Sequence, residues 1–296
     1  MPSRSTRQLA ALLLALAVAG CGRTEENEKA VATPTVRLAR PDAAVGSPME
    51  MNYRFVVAPD APAFAEDYWV FVHFLDADGE LMWTDDHQPP TPTRQWKPGS
   101  TIEYSRTMFV PKFPYVGETR VEVGVFSPKS GARLPLTGTT RGQHAYTVAT
   151  FNLRLQSDNL FVVFRDGWHE TEVADEASGI EWQWSKKEAT LSFRNPMRDI
   201  VFFLQADQPV TVLPEPQRVE VRLGPMVVDS FMLTPGAARD LRRINISASQ
   251  LGPGETVEMT IAVDKTFVPA SIPQMKSTDA RELGIRVFRA FVQPTS

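Results

Sequence analysis

Apolar positions in this chain come in short runs separated by Pro, Gly and Asp, and within several runs they alternate with polar ones. At 121–125, Val121, Val123 and Val125 fall on one side and Glu122 and Gly124 on the other, the period-two signature of a half-buried strand. The run 68–75 (YWVFVHFL) is apolar on both faces, which suits a central strand covered on each side. Asp76-Ala77-Asp78-Gly79 behind it predicts a hairpin turn. Read this way, the first half predicts strands over 35–39, 49–57, 68–75, 101–110, 120–126 and 144–155. The second half predicts strands over 160–164, 168–173, 180–185, 189–193, 200–204, 219–223, 227–233, 240–246, 256–263 and 285–292. No stretch combines caps with the 3.6-residue period of a helix of ordinary length. The expected fold class is all-β, with two antiparallel β-sandwich domains, the first immunoglobulin-like and the second jelly-roll-like.

The first residues read differently. Arg4 and Arg7 precede an apolar run over 9–18, which closes on Val18-Ala19-Gly20-Cys21. A bilayer-spanning helix needs about 20 apolar residues, and this run has roughly half that. Basic residues, a short apolar core and small residues in that order predict a signal peptide. The closing residues resemble the signals of bacterial lipoproteins, which implies cleavage before Cys21 and acyl chains, palmitate among them, on Cys21 itself. Each buried methylene of such a chain contributes about 0.8 kcal/mol to membrane attachment. In the enteric members of that family an aspartate after the cysteine retains the protein at the inner membrane. Gly22 stands there in this chain, so the resemblance implies an outer-membrane anchor facing the periplasm. The polar stretch 22–35 predicts a flexible tether, and Ser157-Asp158-Asn159 interrupts the strands. The expected layout is a signal peptide over 1–20, a lipidated cysteine and tether over 21–35, and domains over 36–156 and 157–296.

Charge and cysteine usage narrow the chemistry. The 31 Lys and Arg against 35 Asp and Glu are scattered rather than striped, which speaks against nucleic acid as a partner. Cys21 is the single cysteine, so once acylated it leaves no thiol for a disulfide, a metal or a nucleophile. No Gly-x-Ser-x-Gly elbow, His-Glu-x-x-His, P-loop or Gly-x-Gly-x-x-Gly fingerprint is present. Glu170 and Glu172 are two apart on one strand face, side by side rather than across a scissile bond as glycoside hydrolysis requires. A non-catalytic protein without a cofactor is expected. His73, Asp86 and His87 are weak candidates for a metal site, without a short fixed ligand spacing. The alternative is structural: His73 sits mid-strand, and Asp86-His87 opens the proline-rich stretch 88–98, where both would bond to backbone.

Two longer patterns carry resemblances. The string YWVFVHFLDADGELMWTDDHQPPTPTRQWKPG over 68–99, with Val110-Pro111, Gly124-Val125-Phe126 and Gly131-Ala132-Arg133-Leu134, resembles a β-sandwich module appended to bacterial membrane glycosyltransferases. In the second half, Gly167-Trp168-His169 with Glu172, Glu181-Trp182-Gln183-Trp184, Asn195-Pro196 and Asp279-Ala280-Arg281-Glu282-Leu283-Gly284 resemble a carbohydrate-binding-module-like jelly roll found with envelope glycosyltransferases. That resemblance implies a sugar ligand or support of polysaccharide machinery, and makes Trp168, Glu172, Trp182, Trp184 and Arg281 the candidate ligand-binding residues. Indole faces stack on the C–H faces of sugar rings while carboxylates and amides fix the hydroxyls. Trp182 and Trp184 lie two apart on a strand and so share a face. Either that face binds sugar or it is core, and Asp279 with Arg281 forms either part of a site or a local ion pair pinning the loop before the last strand. The alternatives are a structural or assembly factor with an envelope protein partner and no glycan and, less favoured, a glycan-acting hydrolase.

Overall fold

The computed structural model describes residues 28–155, 160–174, 180–209, 212–235 and 240–295. Cys21, the signal segment and the 157–159 boundary lie outside them. The fold is all-β, in two compact units. Residues 28–41, 50–108 and 115–152 form the first unit; 42–49, 109–114 and the described residues from 153 onward form the second. Among the described residues no helix is long and apolar enough to cross a membrane.

The strands of the first half are β1 (Ala32–Leu38), β2 (Asp42–Ala44), β3 (Pro48–Val57), β4 (Trp69–Leu75), β5 (Leu81–Thr84), β6 (Thr101–Phe109), β7 (Gly117–Phe126), β8 (Arg133–Leu134) and β9 (Tyr146–Arg154). One sheet of the first unit has the order β1-β3-β6; in the other, β9, β7, β4 and β5 lie side by side, with β8 on β7. Alternation decides what faces inward. In β3, Met51, Tyr53, Phe55 and Val57 are buried while Asn52 and Arg54 are exposed. Across from them, Val70, Val72 and Phe74 of β4 and Val121, Val123 and Val125 of β7 complete the core. The return strand β5 reads LMWT, too short to show a period. Trp96, in the proline-rich stretch, is buried against Phe55 and donates its indole N–H to Thr91 O at 2.9 Å.

The remaining strands are β10 (Val163–Phe164), β11 (Glu172–Val173), β12 (Glu181–Trp184), β13 (Glu188–Arg194), β14 (Ile200–Asp207), β15 (Gln217–Leu223), β16 (Met226–Leu233), β17 (Asp240–Ile246), β18 (Thr256–Val263) and β19 (Arg286–Pro294). They form two five-stranded sheets, β10-β13-β18-β15-β16 and β11-β12-β19-β14-β17. Between the sheets, Leu191, Phe193, Phe202, Leu204, Val219, Val221, Met259, Ile261 and Val287 build one continuous core. One short helix, Ala248–Leu251, starts with a capping box in which Ser247 Oγ accepts from Gln250 N and the Gln250 side chain accepts from Ser247 N. The stretch 168–173 is not one strand. Trp168 makes a lone bridge to Ser185, and regular pairing resumes only at Glu172.

Candidate ligand-binding face of the second unit

The Gly167-Trp168 pair begins the site, and its glycine is needed for backbone reasons. Gly167 has φ +81°, and a side chain there would run into the Glu188 carbonyl. That close approach turns Trp168 inward, where it packs against the main core and edge-on to Phe164 at 4.8 Å. Its indole N–H donates to Thr190 O at 2.8 Å. Trp168 therefore lies apart from the other four candidate residues.

Glu172, Trp182, Trp184 and Arg281 are brought to the opposite face of the β11-β12-β19 sheet. Glu172 pairs directly with Trp182, and Trp184 with Arg286, so all four strand side chains point away from the main core. Here Trp184 is 8% exposed, covered by Phe267 and Leu283 in a small second cluster that Trp182, Val212, Leu213 and Ile272 border. The segment 266–283 makes this cover. Phe267 and Leu283 exchange backbone hydrogen bonds at 2.9 and 2.8 Å, and Ala270 N donates to Asp279 O at 2.8 Å.

The charged groups are arranged as one chain of bonds. Arg281 Nη2 donates to Glu172 Oε1 at 2.8 Å and to Asp279 Oδ2 at 2.7 Å, and Arg281 Nε donates to both Asp279 oxygens. Glu172 Oε2 accepts the Trp184 indole N–H at 3.2 Å. Arg281, donating to Asp279 from its guanidinium and from its backbone N–H, holds that carboxyl down at about 2, and in return Asp279 and then Glu172 raise Arg281. Both are ionised throughout the physiological range.

Next to this chain, Arg286 sits 5.4 Å from the Trp182 ring centre, 5.8 Å from that of Trp184 and 5.5 Å from that of Phe288. It forms a bidentate pair with Asp207 at 2.7 Å on both arms. A bulge in the β14–β19 ladder between Gln205 and Ala206 brings Arg286 opposite Asp207. Neither residue stands out in the sequence, where the signal is a charge at one end of each of two largely apolar strands. Trp182 is half-buried, and its indole N–H has no hydrogen-bond partner among the described residues. The face thus offers one incompletely covered indole ring, whose unpartnered N–H is itself buried, and two guanidinium–carboxylate pairs.

The first unit separates the three weak metal candidates. Asp85 and His87 turn inward and Asp86 outward. His87 pairs through its backbone with Val70, its Nδ1 lies 2.8 Å from Asp85 O, and its Nε2 lies 2.9 Å from Tyr104 Oη. Its ring stands edge-on to Tyr53, and it is 5% exposed. Asp85 holds Arg106 through two bonds of 2.9 and 3.2 Å. Asp86 Oδ1 instead accepts from Val72 N at 3.0 Å, on the face that also carries His73. Among the described residues no group of three or more His, Cys, Asp or Glu is placed to hold a metal ion.

No family model and no curated protein matches the chain. Solved structures to which it is similar include the M60 catalytic domain with CBM51-1 and CBM51-2 domains of Clostridium perfringens ZmpB, at 8% identity over 84% of this chain and 34% of that one, TM-score 0.26. Trypsin-activated alpha-2-macroglobulin from Escherichia coli is another, at 11% identity over 91% of this chain and 16% of that one, TM-score 0.27. A third is Pseudomonas fluorescens alkylpurine DNA glycosylase AlkC, at 14% identity over 42% of this chain and 31% of that one, TM-score 0.25. The chain spans about a third or less of the length of each, and at this level of likeness none of them assigns it a function.

Proposed function

We propose that the protein is a non-catalytic lipoprotein of the bacterial cell envelope, held to a membrane through acylated Cys21, with a glycan as its ligand. The supporting observation is the ring of Trp182, partly exposed, beside the Arg286–Asp207 and Arg281–Glu172 pairs. A sugar ring stacks on such an indole and takes hydrogen bonds from the groups around it. The test is a glycan array probed with the full chain in detergent, beside a Trp182→Ala form that keeps its thermal midpoint. Saturable binding that the variant loses would carry the reading, and equal binding by both would remove this face from it. The anchor has a separate test, since Cys21→Ala should release the protein from the membrane fraction.

A second reading, an assembly factor with an envelope protein partner, draws on Trp168 and Trp184. Both spend their N–H groups inside the fold, on Thr190 O and Glu172, as structural indoles do. It predicts a partner that copurifies with the full chain in detergent and no glycan bound on the array.

A further inference from the structure

The first unit carries a second aromatic and polar face. In β4, Val70, Val72 and Phe74 fill the core, so Trp69, Phe71 and His73 point the other way. The ladder to β7 sets Phe126 opposite Trp69 and Glu122 opposite His73. Trp69 is 37% exposed. The Arg133 guanidinium lies 4.3 Å from the centre of the Phe71 ring and donates from Nη1 to Gln143 O. Glu122 is buried and held by Arg120 Nε at 3.0 Å. Asp86 is exposed, and its Oδ1 is the acceptor for Val72 N.

His73 stands in the middle of this row. Its ring is 4.7 Å from that of Phe71, and it makes no hydrogen bond among the described residues. Burial lowers its proton affinity, Asp86 and Glu122 raise it, and Arg133 lowers it further. These are the charged groups around it. A half-buried ring nitrogen without a partner gains a hydrogen bond when a ligand hydroxyl arrives.

We propose that this face binds an uncharged oligosaccharide, with one ring packed by its C–H side on Trp69 and the hydroxyls of the adjoining rings bonded to His73, Asp86 and Arg133. Hydroxyls both donate and accept, and the row offers a carboxylate acceptor, guanidinium donors and an imidazole that does either. Asp86 against Arg133 and Glu122 against Arg120 balance in sign, so the face has no net field to draw a charged ligand. Trp69 and His73 are four residues apart on a strand, about 13 Å, long enough for adjoining rings of one oligosaccharide. The inference rests on the glycan reading but not on the Trp182 face.

The experiment is an array of uncharged and acidic oligosaccharides probed with the full chain in detergent and with Trp69→Ala, Asp86→Asn and Trp182→Ala forms. Trp69 is at the surface, and Asn at 86 keeps an acceptor for Val72 N, so both should keep the thermal midpoint. The expected result is a set of uncharged glycans whose binding falls tenfold or more in Trp69→Ala and in Asp86→Asn and persists in Trp182→Ala, separate from the glycans that Trp182→Ala loses. Binding unchanged in Trp69→Ala and Asp86→Asn but lost in Trp182→Ala would overturn this site and leave the glycan reading standing. A preference for acidic glycans would overturn the ligand class, and no binding to any glycan would overturn both readings.

Discussion

Arg281 donates to Glu172 at 2.8 Å across 109 residues of chain, and through this bond the loop before the last strand is fastened to the short edge strand β11. The same guanidinium holds Asp279, so one side chain ties the 266–283 cover to the sheet. Arg281→Ala should lower stability by about 0.5–1 kcal/mol, because the pair is more than a third exposed on the arginine side and water screens it. Its sharper effect should be local: limited proteolysis of the native protein should cut within 266–283 faster than in the unaltered chain. Unchanged cleavage there would mean that Phe267 and Leu283 hold the cover without the ion pair.

Trp168 should behave as a core residue. Trp168→Phe removes the bond to Thr190 O and should cost about 1 kcal/mol, whereas Trp168→Ala also opens a cavity and should cost about 3 kcal/mol. Denaturant unfolding monitored by circular dichroism distinguishes the two. Neither change should alter glycan binding below the unfolding transition. A Trp168→Phe form that stayed as stable as the parent but lost binding would place the indole at a ligand instead.

The difference between Trp168 and Trp182 shows what the sequence makes legible. Alternation over 219–223 is readable because Glu220 and Arg222 lie on a partly wet face of β15, whereas over 121–125 the same alternation is present although both faces of β7 are buried, Glu122 and Gly124 included. That Trp182 and Trp184 share a face is also readable, since a strand has period two. Which face it is depends on 266–283 folding back as a cover, and irregular loops leave no period. The Asp279–Arg281 pair is local and visible as a spacing, but its third member, Glu172, comes from a different edge of the sheet. Asp85, Asp86 and His87 look like one cluster in sequence, yet pairing with β4 sends alternate residues to opposite sides.

Gly284 closes the Asp-x-Arg-x-Leu-Gly string for a packing reason. A Cβ there would lie 2.6 Å from Ser185 Oγ and 2.9 Å from Lys186 O, and Ser185 Oγ accepts from Ile285 N at 3.1 Å. Gly284→Ala must push β19 away from β12 and should cost about 1–3 kcal/mol as an overpacked contact. Thermal unfolding of the purified variant reads this directly. A shift confined to experimental error would show that the junction yields without loss.

The first unit should lose stability as the solution is acidified through the histidine range. His73 and His87 both have proton affinities lowered from the ordinary 6.5, in each case chiefly by burial. The unfolded chain then takes up protons first as pH falls, so stability present above about pH 6.5 declines below it until the folded-state values are passed. His87 has the more demanding surroundings: Arg106 beside it, Asp85 and Asp86 opposing, and Tyr53 and Tyr104 packed on its ring. His87→Gln keeps a side chain able to bond Tyr104 Oη but cannot be protonated. Its unfolding midpoint should be lower than the parent's at pH 8 and should change less between pH 7 and pH 5. A parent slope equal to that of the variant would mean that His87 leaves the fold's proton balance untouched. His73→Gln, at a half-buried position, should then remove whatever slope remains.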